Sequence, residues 1–311
     1  MRMEKMEIKK VAMIGAGAIG SYFIEGLSEK LGENFWVVAE GERKARLTEG
    51  GIVINGKKVC LNVKTAEESR GADLLIVAVK YGALQESLNL IEKIVDSHTI
   101  VMSPLNGIDS ESIIGAKIGM NHMVYSFMKI AAQRVGNEIT YNPDVTAGIF
   151  FGEKDGSRSE RILAIQALLE GTKVNYHICD HIERDIWFKY ALNISKNLPQ
   201  AIINCGYGAY ADSKHLAYIS KRLRDEVVQV AAVKGIDISD ENNSTGKNSD
   251  ILPDSRFSTL QDLDAKRETE IEMFSGALIR MGKELGVETP FNEFAYHAIK
   301  CLEEKNCGKI S

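Results

Sequence analysis

The sequence predicts an α/β protein in two domains, and three observations carry that reading. Short apolar runs alternate with amphipathic helical stretches through the first half. A glycine-rich run, GAGAIG at 15–20, closes the first apolar run and opens the first helix. From about residue 182 onward the hydrophobic period is helical throughout. The alternation implies a parallel sheet with helices on both faces. The glycines at its first strand–helix junction mark an N-terminal Rossmann dinucleotide-binding domain, expected over 1–180, followed by an all-helical C-terminal domain over 181–311.

Residues 10–14 (KVAMI) read as a buried strand, 19–31 as a helix and 35–39 (FWVVA) as a second strand. Residues 52–63 read as a hairpin, because Asn55-Gly56 suits the two left-handed positions of a tight turn. Residues 73–79 (DLLIVAV) form a strand buried on both faces, 100–103 (IVMS) another, and 140–151 offers more strand. Helices are expected at 182–202, 215–234, 260–285 and 291–304, with Pro199 bending or ending the first. The polar stretch 239–254 reads as a loop, either covering a site or simply connecting two helices. Trp36 and Trp187 read as core, and 221–224 (KRLR) as a solvated helix face.

Composition narrows the function classes. A chain of 311 residues with 44% hydrophobic content can bury two ordinary cores. A net charge of −5 leaves no basic footprint for nucleic acid. Five cysteines without a CxxC pair suit a reducing compartment and argue against a zinc ribbon or a disulfide scaffold. The charged start has no signal-peptide core, and no apolar run is long enough to span a bilayer. A soluble cytoplasmic protein is expected, with no nucleic-acid or membrane partner, and a homodimer is held open as its assembly. His177 and His181 stand four apart without HExxH or cysteine pairs, so no metal site is expected.

Within the glycine run each position has a physical task. Gly15 permits the tight turn, Gly17 lets backbone approach a pyrophosphate, and Gly20 allows close helix–strand packing; Ala16, Ala18 and Ile19 complete the turn. The helix that follows presents N–H groups to phosphate. Glu40 ends the second strand, where an acid accepts hydrogen bonds from a ribose 2′-hydroxyl and favours NAD. Arg43 and Lys44 follow within a turn. They either hold a 2′-phosphate or are solvated helix charges.

The chemical end is marked by the stretch IWFKYALNISKN at 186–197. Lys189, Asn193 and Asn197 recur every four residues and share one helix face. Amides leave a lysine un-neutralised, so it can stabilise negative charge developing on an oxygen and donate a proton. The bland alternative is a lysine snorkelling from an amphipathic helix. Asn106-Gly107 follows the strand IVMS at the carboxyl edge of the sheet, Lys80 ends the strand DLLIVAV, and 258–262 (STLQD) precedes Thr269-Glu270-Ile271-Glu272.

Taken together, GAGAIG, VAVKYG, LNG, WFKYALN and STLQDLDAKRETEIE resemble the ketopantoate reductase (2-dehydropantoate 2-reductase) family over nearly the whole chain. The resemblance implies a Rossmann domain followed by a helical domain, reducing the ketone of a 2-keto-4-hydroxy acid on the route to pantothenate with NADPH. It implies Lys189 as proton donor and Glu270 as the carboxylate beside it. Asn193 and Asn197 match the substrate-binding amides, and Ser258 a substrate carboxylate or hydroxyl partner. Asn106 matches an asparagine near nicotinamide and substrate, and Lys80 and Ala132 cofactor-side positions. Glu40 departs from the arginine common there, which leaves NADH open, and Tyr207 and Lys196 alter residues near the same face. The alternatives are a reductase of another branched 2-keto or 3-hydroxy acid and a nucleotide-sensing regulator without turnover.

Overall fold

The computed structural model describes residues 6–240 and 252–310. They divide into two compact units, one ending at Ile182 and the other beginning at Glu183. The expected loop at 239–254 falls, over 241–251, outside the described residues. No helix among the described residues is long and apolar enough to cross a membrane.

The first unit begins β1 (Val11–Ile14), α1 (Ala18–Leu31), β2 (Phe35–Val38), α2 (Gly41–Gly50), β3 (Ile52–Ile54), β4 (Lys57–Val59), β5 (Val63–Lys64) and β6 (Leu74–Val77). It continues with α3 (Leu84–Ile94), β7 (Ile100–Met102), α4 (Ser110–Ile118), β8 (Met123–Lys129), β9 (Ala132–Val135), β10 (Glu138–Tyr141), β11 (Gly148–Gly152), α5 (Glu160–Leu169) and β12 (Tyr176–Ile178). The main sheet runs β12-β11-β8-β7-β6-β1-β2-β5. Alternating side chains of its strands feed two cores. Val11 and Met13 join Tyr22, Phe23 and Leu27 of α1 on one face, and Ala12 and Ile14 join Leu84, Ile91 and Ile114 on the other. Two covered faces explain why these strands read as unbroken apolar runs.

Three expectations need correction here. The hairpin is shorter than 52–63. Asn55 and Gly56 take φ of 48° and 76° as the turn demands, but pairing stops at Val59, and Val63 instead pairs with Val37 in the main sheet. The main sheet is also not parallel throughout, since β11 runs antiparallel to β8 and carries β12 with it. The strand signal at 140–151 divides between β11 and β10, and β10 belongs to a second sheet, β4-β3-β10-β9.

The second unit is helical: α6 (Ile182–Ile203), α7 (Ala209–Asp212), α8 (Lys214–Val233), α9 (Ser258–Asp264), α10 (Ala277–Leu285) and α11 (Pro290–Asn306). Pro199 does not end α6, which continues to Ile203. The single helix expected over 260–285 is broken. After α9, Lys266 turns left-handed at φ 52°, and Arg267 closes the turn onto Asp262 through its backbone N–H at 2.8 Å and its side chain at 2.7 Å. A widened π-turn over Glu272–Gly276 then leads into α10. Glu226 of α8 is buried, and its carboxylate accepts the N–H groups of Phe291 and Asn292, satisfying donors at the start of α11 that the helix itself leaves open.

Candidate active site

β1 sits between β2 and β6, so the chain crosses from one side of β1 to the other and opens a crevice at the strand ends. Gly15 lies there at φ 101°, and a Cβ on it would stand 2.3 Å from the carbonyl oxygen of Ala78 beyond β6. Gly20 is equally confined, with a virtual Cβ 2.0 Å from the Gly15 oxygen. Gly17 is the reverse case, with no atom within 4 Å of its virtual Cβ. It precedes α1, whose first turn has neither a side-chain cap nor an acidic residue. Ala16 is buried while Ala18 and Ile19 are half-buried. An uncapped helix N-terminus beside an open glycine backbone can receive an anion such as a pyrophosphate.

The charges around the end of β2 are sorted by long-range contacts. One Glu40 oxygen accepts the Ala66 N–H at 2.8 Å. Lys44 is drawn onto Glu68 at 2.6 Å, and with the Thr65 N–H it holds that carboxyl down to about 2. Arg43 and Arg46 make no hydrogen bond or ion pair with any described residue, and Arg134 arrives from β9. Partial desolvation, followed by Arg46 and Arg134, lowers the pKa of Arg43 below the usual arginine range. Lys44 is therefore committed elsewhere, and the cation cluster is Arg43, Arg46 and Arg134.

At the carboxyl ends of β6 and β7, Lys80 is exposed and Asn106 half-buried, next to Gly107 at φ 98°. Tyr81, following Lys80, donates its hydroxyl to Asp109 at 2.6 Å and so ties the two strand-end loops together. Below them lies a buried polar set. Ser103 donates to Ser110, Ser110 donates to Glu111, and the Ser126 N–H reaches Glu111 at 3.4 Å. Burial pushes the Glu111 carboxyl up to about 7. Ala132 opens β9 and packs half-buried against the core.

In the second unit α6 buries Ile186, Trp187, Tyr190, Ala191, Ile194 and Leu198, which leaves Lys189 and Asn193 half-buried on another face. Asn197 is 6% exposed, and its amide stands 3.4 Å from Ser258 at the start of α9. Gln200, one turn on, holds the approach to α9 by accepting the Phe257 N–H at 2.7 Å and donating to the Ser255 carbonyl at 2.8 Å. Lys196 lies over the Tyr210 ring at 4.4 Å, and Tyr207 packs edge-on to Phe257. Glu270 is half-buried, two residues before the π-turn. No group of histidine, cysteine or acidic residues suited to a metal occurs among the described residues.

The family profile "Ketopantoate reductase PanE/ApbA" matches residues 11–156, and its C-terminal counterpart matches 181–303. The chain belongs to the ketopantoate reductase family. It is an oxidoreductase that works with a nicotinamide cofactor on a keto or hydroxyl group, and the family's reaction type is 2-keto acid reduction. A 2-dehydropantoate 2-reductase of Archaeoglobus fulgidus is 27% identical over 309 residues, spanning 96% of this chain and 99% of the relative. The oxidoreductase YkpB of Bacillus subtilis, described as uncharacterized, is 24% identical over 94% of this chain and 99% of its own. Among solved structures, D-mandelate dehydrogenase with NADH and anilino(oxo)acetate aligns with a TM-score of 0.82 at 23% identity, over 96% of this chain and 99% of that one. At that identity the likeness concerns the fold.

The two groups of candidate residues separate by unit. Gly15 to Gly20, Glu40, Arg43, Lys80, Asn106 and Ala132 all lie in the first unit, and Lys189, Asn193, Asn197, Ser258 and Glu270 in the second. Sequence reading missed Arg46, Arg134, Glu111 and Tyr190. Arg134 carries no local signal, because it nears Arg43 only through the second sheet, where it pairs with Ile139 and Ile139 pairs with Ile54.

Proposed function

We propose that this protein reduces 2-dehydropantoate to pantoate, a step of pantothenate biosynthesis, with NADPH as reductant. The observation that carries the reading is the face of α6, where Lys189 and Asn193 are half-buried and Asn197 meets Ser258 from a segment 61 residues away. Two amides and a hydroxyl can hold a polar substrate without neutralising an ammonium group. When bound, the nicotinamide supplies a hydride to the carbonyl carbon. Lys189 stabilises the charge growing on the carbonyl oxygen and delivers the proton to it. Glu270 orients that ammonium. Asn193, Asn197 and Ser258 bind the carboxylate and hydroxyl of the substrate, and Asn106 and Lys80 serve the cofactor side.

NADPH is favoured over NADH by the arginine cluster. Arg46 and Arg134 both repel the Arg43 guanidinium, and a phosphate dianion beside it relieves that repulsion. One oxygen of Glu40 is held by the Ala66 N–H, and the arginines are the groups that offset its charge. The test is NAD(P)H oxidation with a panel of 2-keto acids, using wild type and Lys189→Ala. The highest kcat/KM is expected for 2-dehydropantoate. The variant is expected to lose about 10²- to 10⁴-fold in kcat with cofactor Kd unchanged. Wild-type kcat in the variant would remove Lys189 as proton donor, and a better substrate in the panel would replace 2-dehydropantoate.

A further inference from the structure

Tyr190 follows Lys189 directly, yet it points the other way, into the core at 1% exposure. Its hydroxyl donates to the backbone carbonyl of Phe274 at 2.5 Å. Its ring lies edge-on to Trp187 at 6.0 Å and tilted on Phe274 at 6.5 Å. Phe274 sits inside the π-turn, where Gly276 reaches back five residues to the Ile271 carbonyl. A widened turn disturbs the regular ladder and often marks a functional position. Here a buried side chain from a different helix donates into it.

Glu270 stands two residues before that turn, and its carbonyl accepts the N–H of both Met273 and Phe274. Phe274 is thus bonded on its N–H side to Glu270 and on its carbonyl side to the residue next to Lys189. A second anchor holds the other flank. Thr269 donates its N–H and its hydroxyl to Glu303 of α11, at 2.8 and 2.7 Å. Glu270 is therefore held between a tie to α11 and a tie to α6, and the α6 tie lies one residue from the lysine.

We propose that Tyr190 is a positioning residue that sets Glu270 relative to Lys189 through the Phe274 carbonyl. The proposal rests on the reading of Lys189 and Glu270 as the proton-delivering pair. Ring packing alone would be kept by phenylalanine, so the hydroxyl is the part under test. A misplacement of about 1 Å at a reacting group can cost on the order of 100-fold, and a tie acting one step away is expected to be worth about tenfold.

The experiment is a double-mutant cycle in kcat with Tyr190→Phe, Glu270→Gln and the double variant, with cofactor Kd and Tm measured on each. Tyr190→Phe is expected to lower kcat about tenfold, leave cofactor Kd within about twofold, and lower Tm by only about 2–4 °C. In the Glu270→Gln background the same change is expected to cost less than about twofold in kcat, because the group being positioned is gone. A purely structural tyrosine gives equal losses in both backgrounds, and that result overturns the proposal. So does wild-type kcat in Tyr190→Phe. A wild-type protein that reduces no 2-keto acid overturns the proposed function itself, which separates the two failures.

Discussion

The glycines of the first turn make opposite predictions although they belong to one motif. Gly17 has φ −92° and ψ −159°, accessible to alanine, and no atom lies within 4 Å of its virtual Cβ. Gly17→Ala should therefore fold, losing at most about 0.5–1 kcal/mol from a poorer helix N-cap. At this size that is a fall in Tm of about 1–4 °C. The methyl group instead fills the open space at which a bound pyrophosphate is expected to approach. Steric crowding of this kind costs about 1–3 kcal/mol, or about 5- to 150-fold in Kd. At Gly20 a methyl would stand 2.0 Å from a backbone oxygen, where nothing can swing aside. Gly20→Ala should lose about 1–3 kcal/mol of stability or more before any ligand is added. The assay is thermal unfolding without cofactor, paired with fluorescence titration of NADPH and NADH. Wild-type Kd in Gly17→Ala would mean that the pyrophosphate does not pass there. Wild-type Tm in Gly20→Ala would refute the close helix–strand contact.

Cofactor preference should follow the arginine cluster. The double variant Arg43→Ser/Arg134→Ser is expected to lose about tenfold or more in kcat/KM with NADPH, with NADH changed less than about twofold. Glu40→Arg is expected to raise the NADPH-to-NADH ratio, and unchanged ratios in both would take the cluster away from the ribose. Glu111 makes stability pH-dependent, because burial raises its carboxyl from 4.5 to about 7 in the folded state. Between those values the native state keeps a proton that the unfolded chain releases, so stability falls as pH rises through the window and levels off above it. The loss is on the order of 3 kcal/mol at most. Urea midpoints at pH 5 and pH 8 should converge with those of Glu111→Gln on the acid side and separate on the basic side; parallel curves would show that Glu111 does not titrate there.

Local pattern sufficed where the determinant is local. The runs 10–14, 35–39 and 73–79 are apolar because both faces of their strands are covered, and that requirement is written into every residue of the run. The turn at Gly15 and the close packing at Gly20 were legible because a turn's geometry depends on a few adjacent dihedral angles. The spacing of Lys189, Asn193 and Asn197 sets them on one face of any helix. The break at 265–271 was hidden for the same reason. Leu260, Leu263, Ile271, Phe274 and Leu278 are all buried at intervals that suit a helix, so their pattern does not reveal the left-handed turn at Lys266.

Tertiary structure decided what depends on partners distant in the chain. Arg43 and Lys44 are indistinguishable as neighbours in sequence, but Glu68 takes the lysine, and Arg134, 91 residues beyond Arg43, joins the arginine. Glu40 reads from its position as free to accept from a ribose, and only the fold shows one of its oxygens already accepting the Ala66 N–H. Tyr190 looks like one more core aromatic until its hydroxyl is found on the Phe274 carbonyl, 84 residues away. A side chain's type sets what it can bond to. Which partner it meets is fixed by the packing of whole elements, and that packing is a property of all the buried surfaces at once.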